Sequence, residues 1–152
     1  MLEVDGKAIT QSNTINRYVG KLANLYPTDP WQAALCDEVM DAIEDIGQKI
    51  VATFSIADEG EKRTAREILV NGLIPVYLTR LQAYLHDHGA EYFADNRLTV
   101  ADLKVFVWIR HLRSGSLDYI PSGLVDRYAP LLVQHLERLN RHARILAYYE
   151  SH

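Results

Sequence analysis

The chain has 152 residues, of which 48% are hydrophobic and 24% charged, and its formal net charge is −4. This balance suffices for one buried core and excludes a disordered chain, while the acidic excess gives no general attraction to nucleic acid or an anionic membrane surface. The apolar runs fall short of the roughly 20 residues that a membrane-spanning helix needs.

Taken in chain order, Leu2–Val4 and Lys7–Thr10 flank Asp5-Gly6, a dipeptide suited to the positive φ angles of a two-residue hairpin turn. Helical spacing follows, with Ile15, Tyr18, Val19 and Leu22 on one face of a helix expected over Ser12–Ala23. Gln11 and Ser12 stand at the junction. A helix start exposes unpaired N–H groups and the positive end of the helix dipole, a setting that can hold a carboxylate; serine is equally a common N-cap on its own account. Tyr26-Pro27-Thr28-Asp29-Pro30 reads as a linker, with Asp29 capping and Pro30 opening the next helix. The stripe Leu35, Val39, Ile43, Ile46, Ile50 and Phe54 predicts one long amphipathic helix. Cys36, the single cysteine, excludes an internal disulfide and reads as a small buried position within that helix.

A further helix is expected from Glu61 to His86, with Ala65, Leu69, Leu73, Val76, Leu81 and Leu85 inward and a kink at Pro75. Leu98-Thr99-Val100-Ala101-Asp102-Leu103 has the grammar of a capping box with a hydrophobic staple. The helix behind it, with Phe106, Trp108, Ile109 and Leu112, is apolar nearly all round and belongs at the centre of a bundle. Shorter helices are expected over Ser122–Tyr128, Pro130–Asn140 and Ala143–Tyr149, with Tyr148 and Tyr149 as packing aromatics and His135 and His142 at the surface. The fold class is therefore mainly α, a helical bundle preceded by one hairpin and helix.

Charge is unevenly spread: between Asp29 and Glu61 there are nine acidic residues and one basic residue, Lys49. Asp37, Asp41 and Asp45 lie four apart and share a helix face. That face reads as a solvated acidic surface or as a receptor for an ammonium group; Asp41, Glu44 and Asp45 could alternatively present oxygen ligands to a divalent ion, although such sites usually use more ligands.

Together these motifs resemble the cytosolic glutathione S-transferase family, most of all its sigma-like group. The likeness rests on Leu-Glu-Val-Asp-Gly followed by Gln-Ser-x-x-Ile-x-Arg-Tyr, the proline linker, the acidic first bundle helix from Asp37 to Asp45, Pro75, the Leu98–Asp102 capping box and the Ser114–Pro121 segment. The resemblance implies that residues 1–26 are the end of a thioredoxin-like domain and residues 27–152 an all-α C-terminal domain. It implies that Gln11 and Ser12 bind the γ-glutamyl end of glutathione, and that Asp45 reaches the α-amino group across a two-fold homodimer. Val51 and Phe54 would line the pocket of a hydrophobic electrophile. Glutathione enters as substrate, with no further cofactor and no resident metal, and the expected location is cytoplasmic. The family's thiol-activating residue and its cis-proline loop have no counterpart here, so no catalytic residue is assigned. The chain is expected to lack most of the N-terminal domain and to have little transferase activity alone. The alternative is a non-enzymatic interaction or scaffold module of the kind built from transferase-like helical domains.

Overall fold

The structure is a computed structural model describing residues 1–151. Strands β1 (Leu2–Val4) and β2 (Lys7–Ile9) pair antiparallel, Leu2 opposite Ile9 and Val4 opposite Lys7. The turn between them has Asp5 at φ 50° and Gly6 at φ 72°, the geometry that matches a tight turn to the strand twist. Helix α1 (Ser12–Leu22) follows directly. Its Gly20 packs close to Val100, where a Cβ would come within 2.7 Å of the Val100 side chain. The Val100 N–H also donates to the Leu25 carbonyl at 2.8 Å. These contacts join the hairpin unit to the bundle.

Helix α2 (Pro30–Val51) begins as its sequence dictates, the Asp29 carboxylate accepting from the Gln32 N–H at 2.9 Å with proline in the first turn. Leu35, Val39, Ile43, Ile46 and Ile50 are buried along one stripe, and Cys36 is fully buried beside it. The stripe stops short of its expected end. Residues Ala52–Ser55 tighten into a 3₁₀ turn, which rotates Phe54 out of phase and leaves it 56% exposed.

The expected kinked helix is two helices, α3 (Glu59–Asn71) and α4 (Leu73–Asp87). The break falls at Gly72, whose backbone (φ −128°, ψ −97°) is not helical. Pro75 then lies in the first turn of α4, where a missing N–H costs no intrahelical bond and no kink is needed. Because the break resets the helical phase, Ile74 and Leu78 are buried while Leu73 and Val76 are exposed.

Helix α5 (Val100–Arg113) runs through the centre, packed against α2, α6 (Leu124–Tyr128) and α7 (Pro130–Asn140). Its capping box forms as the sequence predicts. Asp102 does more than cap. Its carboxylate accepts from the Thr99 N–H and hydroxyl at 2.8 Å each, from the Phe93 N–H at 3.1 Å, and lies 3.1 Å from His135 Nε2. His135 is therefore a fully buried residue joining α7 to α5, not a surface one. Helix α8 (Ala143–Ser151) lies on the outside with no buried residue, so Tyr148 and Tyr149 are surface aromatics, Tyr149 stacked under the Arg110 guanidinium at 4.0 Å. Among the described residues no helix is long and apolar enough to cross a membrane.

Candidate functional site

Gln11 precedes the first turn of α1 with φ 71° and ψ 122°, a conformation rare for a residue with a side chain, and its side chain does not cap the helix. Strain of this kind concentrates where a backbone is held for a purpose. Ser12 is already the first helical residue rather than the N-cap. Its hydroxyl turns instead to the bundle and donates to Glu44 Oε2 at 2.6 Å.

That bond belongs to a polar seam between α1, α2 and α5. Lys104 Nζ donates to the same Glu44 oxygen at 2.6 Å and also to the Asn13 carbonyl oxygen, while Gln48 donates to Glu44 Oε1 at 2.9 Å. Asn13 donates in turn to Asp41 at 2.5 Å, and Arg17 Nε to Asp37 at 2.8 Å with Asp41 at 3.5 Å from its other nitrogen. Hydrogen bonds from Lys104, Ser12 and Gln48, in that order, hold the Glu44 carboxyl at about 2, well below its ordinary range. Glu44 is thus ionised at neutral pH, and its partners are in place.

The acidic face of α2 divides between two jobs. Asp37 and Asp41 bond the cation and amide of α1, and Asp45 lies in a groove of 590 Å³ between α2 and α4, with Asp41, Glu38, Tyr77 and Arg80 among its other walls. Asp41 and Asp45 thus border one groove while Glu44 borders the other. Among the described residues no group of three His, Cys, Asp or Glu side chains is arranged to hold a metal ion.

A second groove, of 470 Å³, runs between α2 and α5. Its polar end is Glu44, Gln48 and Lys104; its apolar walls are Ile43, Val51, Leu103 and Val107, and Gly47 keeps one side open. A Cβ added at Gly47 would meet nothing within 4 Å. Val51 lines this groove as the sequence suggested. Phe54 lies beyond it, with the Arg66 guanidinium 4.9 Å from its ring centroid.

Sequence reasoning missed Lys104 and Arg66. Lys104 lies on a helix whose pattern is apolar nearly all round, and only the three-dimensional approach of α1 and α2 gives it its partners Asn13 and Glu44. Arg66 is fully buried, donating to the Thr53 hydroxyl at 2.9 Å and the Asp118 carbonyl at 2.7 Å; no local pattern marks it, because it sits where an exposed arginine of α3 would be expected.

Comparison with known proteins agrees with this architecture. Residues 44–152 match the family model described as "Glutathione S-transferase, C-terminal domain". Glutathione S-transferase P 10 of Caenorhabditis elegans is 26% identical over 150 residues, covering 99% of this chain and 66% of that protein. Glutathione S-transferase S1 of Drosophila melanogaster is 35% identical over 104 residues, 68% of this chain and 41% of that protein. Among solved structures, the prostaglandin synthase D of Nilaparvata lugens superposes with a TM-score of 0.84 at 27% identity, covering 97% of this chain and 71% of that one. A sigma class transferase of Fasciola hepatica superposes with a TM-score of 0.78 at 20% identity, a likeness of fold, over 94% of this chain and 65% of that one. The chain spans less than two thirds of the length of these curated relatives.

Proposed function

The chain belongs to the glutathione S-transferase family, and on that premise we propose that it carries the γ-glutamyl-binding part of a glutathione site and one wall of an acceptor groove. Ser12 offers its hydroxyl and backbone N–H to the α-carboxylate of glutathione, helped by the dipole of α1. Gln11 hydrogen-bonds the same end of the tripeptide from its strained position. Asp45 lines the α2–α4 groove, which suits it to a neighbouring copy. In a two-fold dimer built on α2 and α4 its carboxylate meets the α-amino group bound by the partner. The hydrophobic electrophile lies along Val51, Leu103 and Val107.

The observation that carries this reading is the position of Ser12. It stands in the first turn of α1, where backbone N–H groups have no intrahelical partner, and its hydroxyl already meets the polar end of the 470 Å³ groove through Glu44. The chain's own thiol and its nearby phenol are not activated for thiolate chemistry. Burial pushes the Cys36 thiol up, and burial followed by the nearby Asp37 pushes the Tyr26 hydroxyl up to about 12. On this reading the 152-residue chain binds glutathione as its substrate and turns it over little on its own. A cytoplasmic location suits its one unpaired, buried cysteine.

Calorimetric titration with glutathione tests the reading. Saturable binding that weakens in Ser12→Ala and Asp45→Ala is the expected result. Binding unchanged in Ser12→Ala, or no binding at millimolar glutathione, contradicts it. Conjugation of an aromatic electrophile at the rate of a full-length relative would contradict the expected low turnover.

A further inference from the structure

We propose that Lys104 makes the Ser12 hydroxyl receptive to a carboxylate, by cancelling the charge of Glu44, which otherwise stands against any anion that approaches that hydroxyl. The inference rests on the reading of Ser12 given above and adds a positioning residue to it.

The Ser12 hydroxyl is shared in a way that matters for a ligand. It donates to Glu44 Oε2 at 2.6 Å, and that same oxygen accepts from Lys104 Nζ at 2.6 Å. A ligand carboxylate that takes the Ser12 hydroxyl replaces Glu44 as its acceptor. Two carboxylates then stand on either side of one hydroxyl, and like charges a few ångströms apart repel. The Lys104 ammonium already lies against the displaced oxygen, so Glu44 keeps a cation when it loses the hydroxyl.

Burial makes this compensation effective. The Lys104 side chain is only 13% exposed and that of Glu44 36%, so the ammonium is held largely out of water while water partly screens Glu44. Nor is the pair packed into solid protein. Glu44 and Lys104 together form the polar end of the 470 Å³ groove, which gives an independent reason to expect a ligand beside them. The held-down Glu44 carboxyl, at about 2, fits this arrangement, since the carboxylate is charged whenever a ligand arrives. Asn13 completes it: accepting from Lys104 and donating to Asp41 at 2.5 Å, its amide fixes the ammonium between α1 and α2.

The test is titration of the 152-residue chain with glutathione, and with a glutathione analogue lacking the α-carboxylate, in four variants of the Glu44–Lys104 pair and in Ser12→Ala, with thermal unfolding read in parallel. Lys104→Met weakens glutathione binding by about tenfold or more, whereas Glu44→Gln, which removes the repelling charge and leaves the ammonium, tightens it several-fold. The double variant returns to near the wild-type affinity, Lys104→Arg stays close to it, and the analogue is indifferent to all four. If the pair serves only to dock α1, Glu44→Gln and Lys104→Met both weaken binding and both lower the unfolding temperature; that result overturns the proposal. Binding weakened in Ser12→Ala but unchanged in Lys104→Met overturns it while leaving the Ser12 reading intact. No effect of Ser12→Ala overturns both.

Discussion

Asp102 is a fully buried carboxylate surrounded by donors, three of them from Thr99 and Phe93 and one position facing His135 Nε2. Replacing it with alanine leaves those donors without partners in a dry interior. Asp102→Ala is predicted to cost about 3 kcal/mol or more, which lowers the unfolding temperature of a chain this size by roughly 6–12 °C; calorimetry or circular dichroism checks it. Half of this site was legible in advance. The Thr-x-x-Asp spacing announces the cap, but His135 sits 33 residues away and nothing near it in sequence says that α7 will face α5. Glu44 supplies a pH dependence of known sign. Its folded-state carboxyl titrates at about 2 against an ordinary 4.5, so its contribution is complete above 4.5 and is lost as pH falls toward 2. With the Glu44 side chain 36% exposed, solvent screening keeps the effect modest. An acid titration followed by thermal unfolding is predicted to show a modest loss of stability across that window in the wild type, and Glu44→Gln removes the dependence.

At the scale of elements, the glycines of α1 and α2 behave oppositely for a stated reason. Gly47→Ala adds a Cβ to open space on a helix and is predicted to stabilise by about 0.5–1 kcal/mol. Gly20→Ala drives a Cβ to 2.7 Å from the Val100 side chain, and is predicted to destabilise despite the same gain in helix propensity; a pair of denaturation curves decides. Helix existence was readable throughout. The Asp29-Pro30 start of α2, the Pro130 start of α7 and the capped start of α5 all follow from residues that act within one turn. The misread elements have a common cause. Pro75 drew the expected interruption to itself, while the actual break lies at Gly72, and the 3₁₀ turn at Ala52–Ser55 carries no residue that demands it. Both shift the helical phase, so a stripe extended by counting assigns Leu73, Val76 and Phe54 to the wrong side. The buried Arg66 holds that region together. Its bonds to Thr53 and the Asp118 carbonyl tie the 3₁₀ turn, α3 and the segment after α5 into one corner.

The whole molecule joins an acidic helix to a hairpin unit through a charged seam, and it leaves several apolar side chains in water. Leu22 is 73% exposed and Val107 57%, and Val19 and Val51 are exposed as well. On the α2–α4 side, Asp45 and Arg80 share one groove, the surface on which the proposed two-fold pairing is built. Arg80→Glu is predicted to shift a dimer to a monomer in sedimentation velocity; an unchanged sedimentation coefficient at dimeric values would argue against that interface. Family membership and the bundle were accessible from the order of local motifs along the chain. The seam was not, because Ser12, Glu44 and Lys104 come from three separate helices. The central claim, that the start of α1 receives the γ-glutamyl carboxylate, is tested most directly by titrating isotope-labelled protein with glutathione and following amide resonances. The account predicts saturable shifts concentrated at Gln11, Ser12 and Asn13 and at Glu44 and Lys104, absent in Ser12→Ala. Shifts elsewhere in the chain with none at these residues, or equal shifts in Ser12→Ala, would contradict it.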